Sequence, residues 1–385
     1  MIISSNTNLI YINKLDFNPL QNIVNKKEKL LFIFDKKLEK NKAFLKLKKF
    51  FAKNNKIYEL NQLHPEPTSD LIDELTKKFR NKKINKIVAV GGGSVIDGSK
   101  ALSISLTNPN KIWDYVDLRY RPAKKLKNKP LNIIAIPTTA GTGAEISKNS
   151  VLINTKTIEK ATIKFDECYP KYAILIPELT FSLNKFITSF TAFDAFAHCL
   201  ESYLNINSNY FSNIYSLEGM KIIYNNLLKC IKKPNSFDLR KNLMTGSVFG
   251  GYSLKYAGTT TCHAIAQPLT ARTGIPHGLA VSILTLPVLK YSIKKNRNLL
   301  NDIFDHIFLK YNKNVNDKTK FVYFKLEELL KKSLVNYKIS DYYKGDTNLV
   351  EKLTNDTVGY MGRGLKFHPV KLSKNEIRNA IKEAI

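Results

Sequence analysis

The stretch KIVAVGGGSVIDGSKA, residues 86–101, decides the fold. A continuous apolar run meets three consecutive glycines, a serine and a segment with helical spacing. Such a run, unbroken by polar alternation, suits a strand covered on both faces, as inside a parallel sheet. Gly91, Gly92 and Gly93 carry no Cβ, so their backbone N–H groups can approach an anion closely. The helix that follows, opening at Ser94, brings its positive end to the same place. The arrangement predicts a phosphate cradle. It matches neither G-x-G-x-x-G nor a Walker A loop, and the plainer alternative is a tight strand-to-helix turn.

Outward from this stretch, the first half of the chain repeats one alternation. KLLFIF (29–34), KIYEL (56–60) and LNIIAIP (131–137) read as further strands, and KAFLKLKKFFAK and DLIDELTKKFRN as helices between them. The order βαβαβα predicts an open, doubly wound parallel-sheet α/β domain. VLINTKTIEKATIKF reads as a hairpin and YAILI as one more strand. Past residue 181 the β signal fades, while SNIYSLEGMKIIYNNLLKCI and FVYFKLEELLKKSLVNY show helical spacing. With a boundary near PELTFSLN (177–184), the expected organisation is a nucleotide-binding α/β domain over 1–180 and an all-α, metal-binding domain over 181–385.

A second loop, IPTTAGTGAE (136–145), also follows an apolar strand directly. Thr138, Thr139 and Thr142 offer hydroxyls, and the glycines between them let backbone wrap a ligand. Two such loops at the carboxyl ends of parallel strands point to one dinucleotide in the crevice. Asp35 ends the first strand, where a carboxylate accepts hydrogen bonds from an adenosine ribose and repels a 2′-phosphate. Lys36 and Lys37 beside it could instead partner that phosphate, so NAD(H) and NADP(H) both stay open.

FDAFAHCLES (193–202) sets Asp194 and His198 at i and i+4 in an otherwise apolar run, on one helix face. Burying both is costly unless something pairs with them, and the bland answer is each other. Downstream, TTTCHAIAQPLTARTGIPHGLA (259–280) adds His263 and His277 among apolar and small residues. One carboxylate and three imidazoles suit a divalent ion, Fe²⁺ or Zn²⁺, with positions left for a substrate oxygen. Cys199 and Cys262 adjoin proposed ligands but diverge from them by about 100° around a helix.

The formal charge of +29 raises the question of nucleic acid. The lysines are scattered in short clusters such as NKKEK, with no basic block interleaved with aromatics, and they read as solvated helix faces. Neither a nucleic-acid nor a membrane partner is expected, because the longest apolar runs are far too short to span a bilayer. Four widely spaced cysteines without a C-x-x-C pair, and an N-terminus without a secretory pattern, lead us to expect a reduced, cytoplasmic protein.

Taken together, GGGSVIDGSKA, IPTTAGTGAE, FDAFAHCLES and CHAIAQPLTARTGIPHG resemble the iron-containing alcohol dehydrogenase family of the dehydroquinate-synthase-like superfamily, in order and spacing. The resemblance covers most of residues 25 to 290. It implies NAD(P) on the two glycine loops, at Gly91, Gly92, Gly93, Ser94, Asp97, Thr138, Thr139 and Thr142. It implies metal ligation by Asp194, His198, His263 and His277, and a contact from Lys160 near the nicotinamide ribose. The implied reaction is reversible hydride transfer between nicotinamide C4 and a small primary alcohol or aldehyde, in a homodimer. A histidine common four residues after the third ligand is here Gln267, which removes a proton relay. The C-terminal GRGLKFHPVKLS only loosely resembles the family's usual ending. QPLTARTGIPHG is closer to the branch of phosphonoacetaldehyde reductases, which makes Lys255, Gln267 and Arg272 candidate contacts for an anionic substrate. The rival readings are a glycerol-dehydrogenase-like or sugar-phosphate lyase relative, a basic nucleic-acid-binding protein, and a cofactor binder without catalysis.

Overall fold

Every second residue of the central strands goes to the opposite face of one sheet, which is why the runs are apolar throughout. The computed structural model describes residues 6–63, 65–118, 120–334, 337–343 and 346–385. Its first compact unit comprises residues 1–139, 143–183 and 235–244, and its second 140–142, 184–234 and 245–385.

In the first unit the chain runs β1 (Asn8–Tyr11), β2 (Lys29–Phe34), α1 (Lys42–Ala52), β3 (Lys56–Leu60), α2 (Ser69–Phe79), β4 (Lys86–Gly91), α3 (Gly93–Thr107) and β5 (Asn132–Pro137). It continues through β6 (Asn149–Asn154), β7 (Glu159–Lys164) and β8 (Tyr172–Leu175). Six strands form one parallel sheet in the order β1-β8-β5-β4-β2-β3, and β6 and β7 pair as an antiparallel hairpin. Leu30, Phe32, Phe34, Val88 and Val90 pack with Phe44, Leu47 and Phe51 of α1. Leu31, Ile33, Ile87 and Ala89 pack on the other face, with Ile72 and Leu75 of α2 and Ile96 and Ile104 of α3.

Strand β2 pairs with β3 on one side and β4 on the other, so the strand order reverses between β2 and β4. Open α/β sheets bind ligands outside the carboxyl ends of the strands at this switch point. Asp35 and Gly91 end those two strands, and the Asp35 amide donates to the Val90 carbonyl at 3.1 Å. Strand β1 is the element missed by the sequence reading. It is an edge strand of four half-buried or exposed residues, too short to carry a pattern.

The second unit is helical: α4 (Lys185–Leu204), α5 (Tyr210–Lys232), the later part of α6 (Phe237–Tyr256), α7 (Thr261–Thr273), α8 (His277–Lys295), α9 (Asn301–Ile307), α10 (Lys318–Leu334), α11 (Leu349–Val358), α12 (Gly362–Lys366) and α13 (Lys374–Ala384). Residues 235–244 group with the first unit. There, Arg240 donates to the Leu183 carbonyl at 3.1 Å. Helix α4 is apolar nearly all round and packs against both α5 and α8, the behaviour of a helix inside a core. No described helix is long and apolar enough to cross a membrane, and all four cysteines are free and buried.

Candidate metal centre and nucleotide cradle

Asp194 and His198 project from the middle of α4, His263 from the first turn of α7, and His277 is the first residue of α8. Gly278 lets α8 start there. A Cβ on it would lie 2.7 Å from the Phe190 carbonyl oxygen and 3.2 Å from Asp194 Cβ. One ligand atom each from Asp194, His263 and His277 lies within 4.8 Å of the other two. His263 Nε2 stands 3.5 Å from Asp194 Oδ1, and His198 Nε2 stands 3.7 Å from the same oxygen. The His198 and His263 rings stack with centroids 4.7 Å apart.

These separations are long for hydrogen bonds. They match ligands facing a shared ion, since two atoms each about 2.1 Å from a tetrahedral ion stand about 3.4 Å apart. Asp194 Oδ1 and His263 Nε2 are buried without a hydrogen-bond partner among the described residues. Leaving such atoms unpaired costs free energy, and a divalent cation between them removes the cost. The donor set of one carboxylate oxygen and imidazole nitrogens fits iron or zinc.

Electrostatics point the same way. Burial opposes ionisation of Asp194, but His198, His263 and His277 outweigh it and hold the carboxyl well below its usual range. Burial pulls His198 down to about 4 against the opposing pull of Asp194, so its ring is neutral and able to ligate. His263 is pushed up to about 9: burial lowers it, and the carboxylates of Glu201 and Asp194 more than compensate.

Glu201 is the residue that the sequence reading missed. It lies on α4 at i+7 from Asp194 and is 5% exposed. Its Oε2 is 2.6 Å from His263 Nδ1 and accepts from the Thr260 amide at 3.1 Å. Its Oε1 accepts from the amides of Cys262 at 2.7 Å and His263 at 3.3 Å. Thr260, at the N-cap of α7, makes no side-chain cap. A carboxylate from another helix satisfies the orphan donors there instead. An ionised Glu201 holds the Nδ1 proton of His263, so Nε2, facing Asp194, is the nitrogen that would give up its proton when a cation binds. The signal was present as a third polar residue on the Asp194–His198 face, but its partners lie about sixty residues downstream.

The remaining candidate contacts have definite places. Gln267, one turn after His263, buries an Oε1 without a hydrogen-bond partner among the described residues. Arg272 donates Nε to Asp356 of α11 at 2.5 Å, and Lys255 Nζ lies 5.7 Å from the Tyr256 ring centroid.

In the first unit, Gly92 caps α3 and its carbonyl accepts from the amides of Val95 and Ile96. A Cβ on Gly91 would sit 2.6 Å from Val95, so the tight turn requires glycine. The Thr138 amide donates to the Gly91 carbonyl at 3.0 Å, and Thr139 lies beside Gly92. The two loops therefore meet at the ends of β4 and β5. Thr142 belongs to the second unit. Asp35 Oδ1 accepts from the Lys37 amide at 2.9 Å. Asp97 is raised by burial, with Lys100 opposing; its carboxylate takes the Val151 amide at 3.1 Å and Lys100 Nζ at 3.3 Å. Lys160 Nζ is 2.5 Å from Glu66 Oε2.

Glu145, which closes the second loop, is 2% exposed, and burial lifts it from 4.5 to about 7 against the pull of Lys100. The folded state thus binds this proton more tightly than the unfolded chain. Its contribution to stability is full below pH 4.5 and is lost as pH rises through 7, a swing of about 3 kcal/mol. Denaturant titrations at pH 5 and pH 8 should show Glu145→Gln flattening that difference. An equal pH dependence in parent and variant would exclude this assignment.

The family model named "Iron-containing alcohol dehydrogenase" matches residues 8–177, and "Fe-containing alcohol dehydrogenase family, C-terminal" matches residues 188–385. A 4-hydroxybutyrate dehydrogenase of Clostridium kluyveri is 34% identical over 60% of this chain and 62% of its own length. A sulfoacetaldehyde reductase of Bilophila wadsworthia is 34% identical over 59% of this chain and 57% of its own length. The matches thus span about three fifths of these relatives. The crystal structure of an iron-containing alcohol dehydrogenase from Thermotoga maritima superposes with a TM-score of 0.84 at 26% identity, covering 100% of this chain and 99% of that one. With the Asp/His cluster and the glycine loops set in the fold those matches share, the chain belongs to the iron-containing alcohol dehydrogenase family.

Proposed function

We propose that this protein is a metal-dependent, NAD(P)-linked alcohol dehydrogenase or aldehyde reductase acting on a small substrate with an anionic terminus, phosphonoacetaldehyde first among them. The observation that carries the reading is the buried, unpartnered pair Asp194 Oδ1 and His263 Nε2, 3.5 Å apart, with His277 within reach. Asp194, His198, His263 and His277 would hold a divalent ion, Fe²⁺ before Zn²⁺. When bound, the ion supplies Lewis acidity toward a carbonyl or alkoxide oxygen.

The chain's own residues do the rest. Glu201 holds the Nδ1 proton of His263, so that Nε2 is the nitrogen presented to the ion. The amides around Gly92 and the start of α3 bind the dinucleotide pyrophosphate. Gln267 offers an amide to the substrate in place of an ionisable relay. Lys255 and Arg272 are the cations we assign to the anionic end of the substrate, with Arg272 held in place by Asp356 through its Nε. Two relatives named for 4-hydroxybutyrate and sulfoacetaldehyde, both anionic, support that class. We further propose that the protein works as a cytoplasmic homodimer.

The test is a panel of short aldehydes with and without phosphonate, sulfonate or carboxylate groups. It is assayed on anaerobically purified, metal-replete protein with NADH and with NADPH. Anionic aldehydes should exceed neutral ones of equal length in kcat/KM by about tenfold, the worth of one charge-assisted contact. Failure of every aldehyde to support cofactor oxidation would remove the reading.

A further inference from the structure

Glu66 holds a backbone φ of 60°, in the left-handed region that residues with a side chain rarely adopt. It stands between β3 and α2, and three contacts hold its segment. The Glu66 amide donates to Ser94 Oγ at 3.2 Å, beside the cradle glycines. Its Oε2 contacts Lys160 Nζ at 2.5 Å. The carbonyl of the next residue, Pro67, accepts from the Ile153 amide of β6 at 3.0 Å. A residue kept in an unfavourable conformation by its surroundings, against a ligand cradle, is where local strain serves function.

The contacts form a chain from the cradle serine through Glu66 to Lys160. The Lys160 side chain is 4% exposed and that of Glu66 22%, so water screens the pair weakly. Alone, the ammonium would present a full positive charge near the cradle, at the position that the resemblance assigns to the nicotinamide ribose. Paired, the two side chains present a dipole of nearly zero net charge. The neighbouring Asp97–Lys100 pair on α3 is likewise compensated, so removing one partner of Glu66–Lys160 uncovers a single charge.

Oxidised and reduced nicotinamide dinucleotides differ by one positive charge on the ring. A bare cation nearby disfavours the oxidised form, and a bare carboxylate favours it. We propose that Glu66 is a positioning residue that neutralises Lys160, so that the site takes oxidised and reduced cofactor without a charge bias. The inference rests on the cofactor reading above.

The experiment measures dissociation constants of NAD⁺ and NADH on the metal-loaded protein, by fluorescence titration and by displacement. E66Q should raise the ratio Kd(NAD⁺)/Kd(NADH) by about tenfold, the effect of one weakly screened charge at several ångströms. K160M should lower the ratio by a similar factor, E66Q/K160M should return it toward the parent value, and E66D should preserve it. If E66Q does not fold, the opposite sign in K160M still carries the test. A Glu66 that only braces the loop weakens both forms equally, and an unmoved ratio in variants that bind both forms overturns the proposal. A parent protein that binds neither form is a different result, and it removes the cofactor reading itself.

Discussion

Replacing Asp194 with asparagine is expected to leave the protein folded but largely unable to retain a divalent ion, with kcat/KM reduced by at least about a thousandfold, the worth of several kcal/mol of Lewis-acid stabilisation. The substitution keeps the volume of a side chain that is 2% exposed. It removes the carboxylate that His198 and His263 both face, at 3.7 and 3.5 Å. With Asp194 and the ionised Glu201, a bound divalent ion leaves the buried cluster without net charge; with asparagine it leaves one positive charge in excess, and burial makes that excess costly. Metal content after gel filtration and steady-state rates, read on one sample, check the expectation. A variant that keeps stoichiometric metal and rates within about threefold of the parent, less than 1 kcal/mol, would remove Asp194 from the ligand set.

Glu201→Gln is expected to weaken metal retention by about 10- to 100-fold, the range found for hydrogen-bond partners of metal-bound histidines. Both oxygens of Glu201 accept: one takes the amides of Cys262 and His263, the other the Thr260 amide and His263 Nδ1. Glutamine has one carbonyl oxygen and must turn its NH₂ toward one of these pairs. Turned to His263, it opposes the Thr260 amide, demands Nδ1 as acceptor and moves the proton to Nε2, where it blocks ligation. Turned the other way, it sets donor against donor at the start of α7 and costs about 1–3 kcal/mol of stability. Competition with a chelator measures the affinity, and nitrogen NMR of the imidazole reports the tautomer. Unchanged affinity together with the Nδ1–H tautomer would show that Glu201 only caps α7.

Local patterns were readable because each depends on a few neighbouring residues. KLLFIF, KIVAV and LNIIAIP became β2, β4 and β5 within one residue at either end, since a strand buried on both faces shows in any short window. The glycine loops were readable for a related reason. A turn that would set a Cβ 2.6 Å from Val95 admits only glycine, and glycine is visible in the sequence. Strand β1 was not readable, because four residues on a sheet edge carry no periodicity and gain their place by pairing with β8. The i, i+4 placement of Asp194 and His198 followed from helix geometry. The choice between a mutual pair and half of a metal site needed His263 and His277 as well.

By itself, then, the sequence determined the strand–helix alternation and the positions of the glycine loops, and it singled out the carboxylate and the three imidazoles that we propose as ligands. The tertiary structure alone decided that Glu201 orients His263 across 62 positions, that Arg272 is tied to Asp356 across 84, and that Glu66 meets Lys160 beside Ser94. The physical reason is range. Periodicity records what a residue's own helix or strand does with it. The partner of a buried charge is set by which helices and loops pack together, and that depends on the summed burial of many side chains, none of which marks the contact in advance.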